Sequence, residues 1–355
     1  YVRTQFPKHA DDSDLVYRQA VKAKAFDALR GLLPAASVSN VGIYGTGQAY
    51  EALLLRMRAH PLPEARYYAD LMLQELRKVI PSFLERVDRE DRGGVWSDYL
   101  GDTRENIAEL VGALFPEGTV ADPAPLVRLV DFDPDAEIKM VASMMYASSH
   151  LPEEQLERRV AAMSSDDRLA VVNAYVGDRA NRRHKPGRAL ERPFYRFDVL
   201  VDYGAFRDLQ RHRMMTIDWQ QLSPYHGYTR PELIDAAGMT DRFDDAMQRS
   251  AELHDALMED FPDQAPYAVS LAYKIRFNMN LNAREAMHLI ELRTTPAGHP
   301  SYRQVGQEMH RLIAEEAGHR AVAEMMTFVD HSPETDLERL QSERLAEARR
   351  AHNLS

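Results

Sequence analysis

Two arginines flank a histidine at Arg211-His212-Arg213, directly after a short amphipathic stretch. Guanidinium forks pair bidentately with phosphate, and a histidine between them adds a donor or stacks. The triplet is a candidate phosphate anchor, with a solvated basic turn as the alternative. Gln221 and Ser223 follow on an expected loop, where an amide and a hydroxyl can read a polar ligand. A plain turn at Ser223-Pro224 is the competing reading. A second constellation lies in residues 280–293. Asn282 falls at an expected helix N-cap, Arg284 and His288 are four apart on one helical face, and Arg293 ends the run. Here Asn282 can be a cap alone, and His288 a packed core histidine. A third cluster is Arg179, Arg182, Arg183, His184, Lys185, Arg188 and Arg192, seven basic residues within fourteen positions just upstream of the triplet. In an acidic chain, that density points to an anion site.

Composition bounds what these residues can serve. The 355 residues are 45% hydrophobic and 28% charged, a globular balance with room for more than one core. The net charge of −11 argues against a general grip on nucleic acid. There is no cysteine, which excludes disulfides, thiolate metal sites and cysteine nucleophiles and fits a reducing, cytoplasmic setting. No apolar run approaches the ~20 residues of a membrane helix, and no signal-peptide pattern opens the chain. No GxGxxG, GxxxxGK[ST] or HExxH pattern is present, and the scattered histidines give no expectation of a metal. The chain opens on Tyr1, and residues 1–12 read as the middle of something, so a preceding N-terminal portion is expected.

The elements that must position these residues follow from hydrophobic period. Helices are expected over 14–32, 48–58, 64–80 and 107–115, with a strand over 37–44 and a loop or hinge over 86–104. The Pro- and Gly-rich stretch 116–125 holds the best domain boundary. Beyond it, strands are expected over 126–132, 194–201 and 267–279. Helices are expected over 135–147, 153–163, 166–181, 205–210, 231–237, 241–259, 283–292, 302–317 and 333–352. The two halves echo each other: Glu51-Ala52, Arg58, His60-Pro61 and Gln74-Glu75-Leu76 match Glu285-Ala286, Arg293, His299-Pro300 and Gln307-Glu308-Met309. This suggests a duplicated unit whose first copy lacks its own N-terminal half.

Together these residues resemble the flavin-dependent thymidylate synthases. That family carries RHR, seven residues, then Ser. Here the ungapped serine position holds Gln221, and Ser223 comes after nine residues. Pro193-Phe194 resembles the family's upstream Pro-Phe-Glu-His, with Tyr195-Arg196 in place of Glu-His and His184 as a displaced stand-in. Asn282-Ala283-Arg284, His288 and Leu292-Arg293 match the family's downstream helix without a gap. The resemblance covers about 124–325 and implies an α/β (α+β) fold, with a twisted, mainly antiparallel sheet packed with helices. It implies that Arg211, His212, Arg213, His184, Asn282, Arg284 and His288 hold FAD. Ser223, Gln221 and Arg293 would line the nucleotide pocket, with Arg293 and Ser223 at the chemistry. The implied reaction is reductive methylation of dUMP, or a related uracil nucleotide, at C5. Methylenetetrahydrofolate would supply the carbon, and NADPH would reduce the flavin. The alternatives are a flavin-binding relative acting on a different pyrimidine, or a catalytically silent scaffold of the same fold.

The departures fall on the substrate side. Asp208 stands where the family has Gln, the Ser-x-Arg pair becomes Gln221 and Ser223, and residues 262–266 replace an expected arginine. The implied organisation is 1–115 as the C-terminal half of a diverged first repeat plus hinge, 116–123 as linker, 124–330 as the synthase-like domain and 331–355 as a charged helix. Sites built between subunits would make the protein a homo-oligomer with a small-molecule nucleotide substrate and no nucleic-acid or membrane partner.

Overall fold

A computed structural model describes residues 1–10, 12–115, 119 and 121–332. In chain order the helices begin with α1 (Val2–Gln5), α2 (Asp14–Leu29), α3 (Gly47–Arg58), α4 (Pro63–Arg77), α5 (Pro81–Leu84) and α6 (Val95–Leu114). Then come β1 (Val127–Phe132), α7 (Ala136–Tyr146), α8 (Glu153–Ala161), α9 (Ser165–Val176), β2 (Phe194–Asp202), α10 (Tyr203–Leu209) and β3 (Met215–Trp219). The remainder are α11 (Glu232–Ala236), α12 (Thr240–Asp260), β4 (Lys274–Asn282), α13 (Ala283–Arg293), α14 (Pro300–Glu315) and α15 (Arg320–Glu324). Among the described residues, no helix is long and apolar enough to cross a membrane.

The chain divides into two compact units. The first comprises residues 1–35, 124–254 and 266–355, and is built on a four-stranded antiparallel sheet of order β1-β2-β4-β3. The period of two in β2 buries Tyr195, Phe197, Val199 and Val201, and that in β4 buries Ile275, Phe277, Met279 and Leu281. Helix α14 lies against β1 and β2. Its Val305, Met309, Leu312 and Ile313 join these strand residues in one core with Leu289 and Ile290 of α13. The fold is thus α/β of the expected kind: a mainly antiparallel sheet packed with helices. The second unit comprises residues 36–123 and 255–265. Its small core is Leu54, Leu55, Ala69, Leu73, Leu84 and Val87, from α3, α4 and the chain around α5.

Several elements differ from expectation. Residues 37–44 form no strand: Val38, Val41 and Tyr44 are exposed, and the β-branched pattern finds no ladder partner. Residues 86–104 are not a plain loop, because one π-helical turn (Glu90–Gly94) leads into α6. Gly93 makes that turn possible, since a Cβ there would lie 2.0 Å from the Val87 carbonyl oxygen. The expected strand over 267–279 begins only at Lys274. The preceding backbone instead pairs with the N-terminal segment, with Ala272 N donating to Gly31 O (2.8 Å) and Leu271 N to Leu33 O (2.9 Å). That pairing draws residues 1–35 into the sheet unit, so they separate from the rest of the expected 1–115 piece. The 116–123 linker and the tail helix over 333–352 fall partly and wholly outside the described residues.

One buried ion pair locks α13 to the chain that follows α9. Arg179 donates through both Nη atoms to Glu291, at 2.6 Å each, and the two side chains are 3% and 1% exposed. Arg179 also donates to the carbonyls of His184 (2.7 Å) and Met325 (2.8 Å), and its guanidinium lies over the Phe328 ring. Removing one partner leaves a buried charge uncompensated, which costs about 3–5 kcal/mol. Glu291→Ala is expected to lower the urea-unfolding free energy of the sheet unit by that amount. A change under about 1 kcal/mol, the level of an exposed pair, would show that Arg179 is not held as described.

Candidate functional site

The site is assembled on the first turns of α13. Asn282 ends β4 and caps the helix, its Oδ1 accepting from Glu285 N at 2.9 Å. Helix α10 is started by Asp202, whose Oδ1 accepts from Ala205 N at 2.9 Å, and it delivers the Arg211-His212-Arg213 triplet at its end. His212 is buried. Its Nδ1 lies 3.0 Å from Glu285 Oε1, and its Nε2 accepts from Arg293 Nε at 3.1 Å. The ring edge of His212 meets His288 at a centroid distance of 5.3 Å. Arg293 also donates to the Asp208 carbonyl and lies 3.5 Å from Asp208 Oδ1, with its guanidinium over the Tyr302 ring at 5.3 Å. The backbone between α9 and β2 reaches the same helix, where Pro186 O accepts from Arg284 Nε at 3.2 Å.

The structure thus brings together His212, Asn282, Arg284, His288 and Arg293. The outer members of the triplet behave differently from each other. Arg211 is exposed and pairs with Asp208 at 3.0 Å, while Arg213 is exposed with no side-chain partner among the described residues. His184 is exposed; its Nδ1 accepts from Ala180 N at 3.3 Å, so it serves its own turn rather than α13. Tyr195, where the family has Glu, is fully buried and bonded to His319 Nδ1 at 3.0 Å. Burial and the nearby Glu137 push its phenol well above the usual range.

Gln221 and Ser223 lie on the loop that follows β3, as expected, and no hydrogen bond joins them to Arg293 among the described residues. Residues 215–219 form β3, which pairs Met215 with Leu281 and carries the chain away from the start of α13. Gln220 N then donates to Arg276 O, five residues back along β4 from Leu281, or ~17 Å at ~3.4 Å per residue. The alternation Met-Thr-Ile-Asp-Trp over 215–219 was the signal for this edge strand.

The basic cluster is sorted by its partners. Arg179 is spent on Glu291, Arg188 pairs with Glu191, and Arg192 pairs with Glu153 and Glu157. The side chains of Arg182, Arg183 and Lys185 keep no partner among the described residues. His288 is half-buried, and its pKa is held below 6.5, first by burial and then by the positive charge of Lys185, with Arg182 adding to it and Glu285 opposing it. Unpaired cations beside a neutral imidazole suit a diphosphate. His212, Glu285 and His288 also form the one group, among the described residues, close enough to share a metal. The hydrogen bonds argue otherwise. Arginine only donates, so Nε2 must accept; Nδ1 then carries the proton given to Glu285, and no lone pair of His212 is left for a metal.

Glu285 and Asp208 were not anticipated as organisers of the site. Glu285 stands three residues before His288 and so shares its helical face, a spacing visible in the sequence. Its pairing with a histidine 73 positions away was not visible there.

Comparison with known proteins places this arrangement in a family. The family model described as thymidylate synthase complementing protein matches residues 128–319, more than half of the chain. The chain therefore belongs to the flavin-dependent thymidylate synthase family. It is 36% identical over 347 residues to a UPF0159 protein of Chlamydia pneumoniae, covering 97% of this chain and 64% of that protein. A UPF0159 protein of Thermoplasma acidophilum is 30% identical over 318 residues, covering 88% of this chain and 61% of that one. The chain thus spans less than two thirds of the length of these relatives. A solved structure, the UMP/dUMP methylase PolB from Streptomyces cacaoi bound with 5-Br dUMP, aligns with TM-score 0.41 and 17% identity, over 55% of this chain and 93% of that one.

Because the folded pKa of His288 lies below its unfolded value near 6.5, the unfolded chain binds the proton more readily. The stability tied to this group is present above pH 6.5 and is lost as pH falls through that value toward the folded pKa. In an imidazole C–H titration by NMR, His288 should titrate below 6.5, and Lys185→Gln should move its midpoint upward. A parent midpoint at or above 6.5 would contradict the assigned surroundings.

Proposed function

We propose that this chain is an FAD-dependent methyltransferase that reductively methylates a uracil nucleotide, normally dUMP, at C5. The observation that carries the proposal is the convergence on α13. The buried His212 meets Glu285 and Arg293, while unpaired Lys185 and Arg182 act on His288. Family membership supplies the chemistry consistent with that donor set. Asn282, Arg284, His288 and the free Arg213 would hold FAD, with Lys185 and Arg182 facing its diphosphate. Bound and reduced by NADPH, the flavin supplies the hydride equivalent, and methylenetetrahydrofolate supplies the carbon.

Arg293 is the cation assigned to the pyrimidine, where it stabilises negative charge developing on the ring. It has five N–H donors. One goes to His212 and two point at Asp208, leaving one on each Nη for a ligand. The substrate phosphate needs further cations, and a neighbouring copy of the chain in a homo-oligomer would supply them, together with Gln221 and Ser223. In the same proposal α3 and α4 are the counterparts of α13 and α14 in a diverged second copy. In support, Thr46 caps α3 as Asn282 caps α13, and Pro63 and Pro300 open the following helices.

One observation favours a second reading, a relative acting on another pyrimidine. Asp208 neutralises both Arg211 and Arg293, which lowers the attraction for a dianionic substrate phosphate.

Heat-denatured protein, preloaded with FAD, should release yellow fluorescent flavin, and the parent should release the C5 proton of dUMP in the presence of methylenetetrahydrofolate and NADPH. A charge-assisted hydrogen bond contributes about 1.5–3 kcal/mol, so Arg213→Ala should weaken FAD binding roughly ten- to hundredfold. No flavin after incubation with excess FAD would sink both readings. Flavin binding without dUMP turnover would favour the second.

A further inference from the structure

We infer that Glu285 is a positioning residue, which acts through His212 to hold the guanidinium of Arg293 in place. The kinetic consequence rests on the role proposed above for Arg293; the hydrogen-bond state does not. Glu285 and His212 are 7% exposed each, so their contact at 3.0 Å is shielded from solvent. Arg293 approaches the other ring nitrogen at 3.1 Å with an N–H that can only donate. A doubly protonated imidazole would place N–H against N–H there, beside a second cation. His212 is therefore neutral, with its proton on Nδ1 and its lone pair on Nε2.

The carboxylate of Glu285 selects that tautomer by accepting the Nδ1 proton, and its charge makes Nε2 the better acceptor. The other groups facing this chain of bonds are consistent with it. His288 meets the ring edge of His212, and Asp208 takes the two Nη groups of Arg293 from the opposite side. Tyr302 lies under the guanidinium plane. Arg293 is thus gripped at Nε by His212 and at one N–H of each Nη by Asp208, and the remaining two N–H groups are fixed in direction. Without Glu285 the ring is free to carry its proton on Nε2, which removes the acceptor for Arg293.

The test begins without activity. Long-range 15N–1H spectra of the histidine side chains, with His212 assigned by its loss in His212→Asn, should show His212 as the neutral Nδ1–H tautomer at neutral pH. Glu285→Ala should convert it to Nε2–H, and Glu285→Gln, whose amide oxygen still accepts, should retain Nδ1–H. An Nε2–H or cationic His212 in the parent overturns the inference whether or not the variants fold. In the second arm, C5 proton release from dUMP should fall in kcat roughly a hundredfold for Glu285→Ala, with FAD content preserved and with recovery in Glu285→Gln. Parent-like kcat in Glu285→Ala also overturns it. A parent with no dUMP turnover would count against the proposed function alone, since the tautomer measurement still decides this inference.

Discussion

Helix α13 carries two carboxylates into the interior of the sheet unit, and the side chains that meet them organise what surrounds it. Glu291 is answered by the bidentate Arg179, and Glu285 by the imidazole of His212. A buried carboxylate left alone would neutralise or unfold its surroundings, so both partners are obligatory. The first pairing draws the chain after α9 onto the helix. The second draws the end of α10 onto it. Two segments far apart in sequence thereby converge on one helix, which follows directly from β4.

This convergence separates structural cations from available ones. Arg179, Arg188 and Arg192 are committed to carboxylates, whereas Arg182, Arg183, Lys185 and Arg213 are not. Of the available set, Lys185 and Arg182 help keep His288 neutral. Asp208 works in the opposite sense, since it quenches Arg211 and part of Arg293. The surroundings of His288 thus keep their positive character, and those of Arg293 are partly neutralised.

Much of this was legible from local pattern. The period of two in β2 and β4, the Asn282 cap and the one-face spacing of Arg284 and His288 all stand within a few residues of each other, and each appears in the structure. The family resemblance was legible for the same reason, because the Asn-Ala-Arg helix and the RHR triplet are contiguous strings. The extent of residues 37–44 as a strand was misread because β-branched composition describes a surface suited to pairing, without saying whether a partner edge exists. Residues 221 and 223 lie on a loop as read, whereas β3 just before them, a short edge strand of mixed exposure, went unread.

The sequence by itself determined the class of fold, the caps and faces of the helices, and the set of side chains able to bind an anion. The tertiary structure alone decided which of seven clustered basic residues remained free, that Arg293 would share its donors between His212 and Asp208, and that residues 1–35 would join the sheet. The reason is that periodicity and capping act over three or four residues. Charge pairing and ladder completion depend instead on which distant groups are buried together, and a buried charge accepts whichever partner the packing delivers.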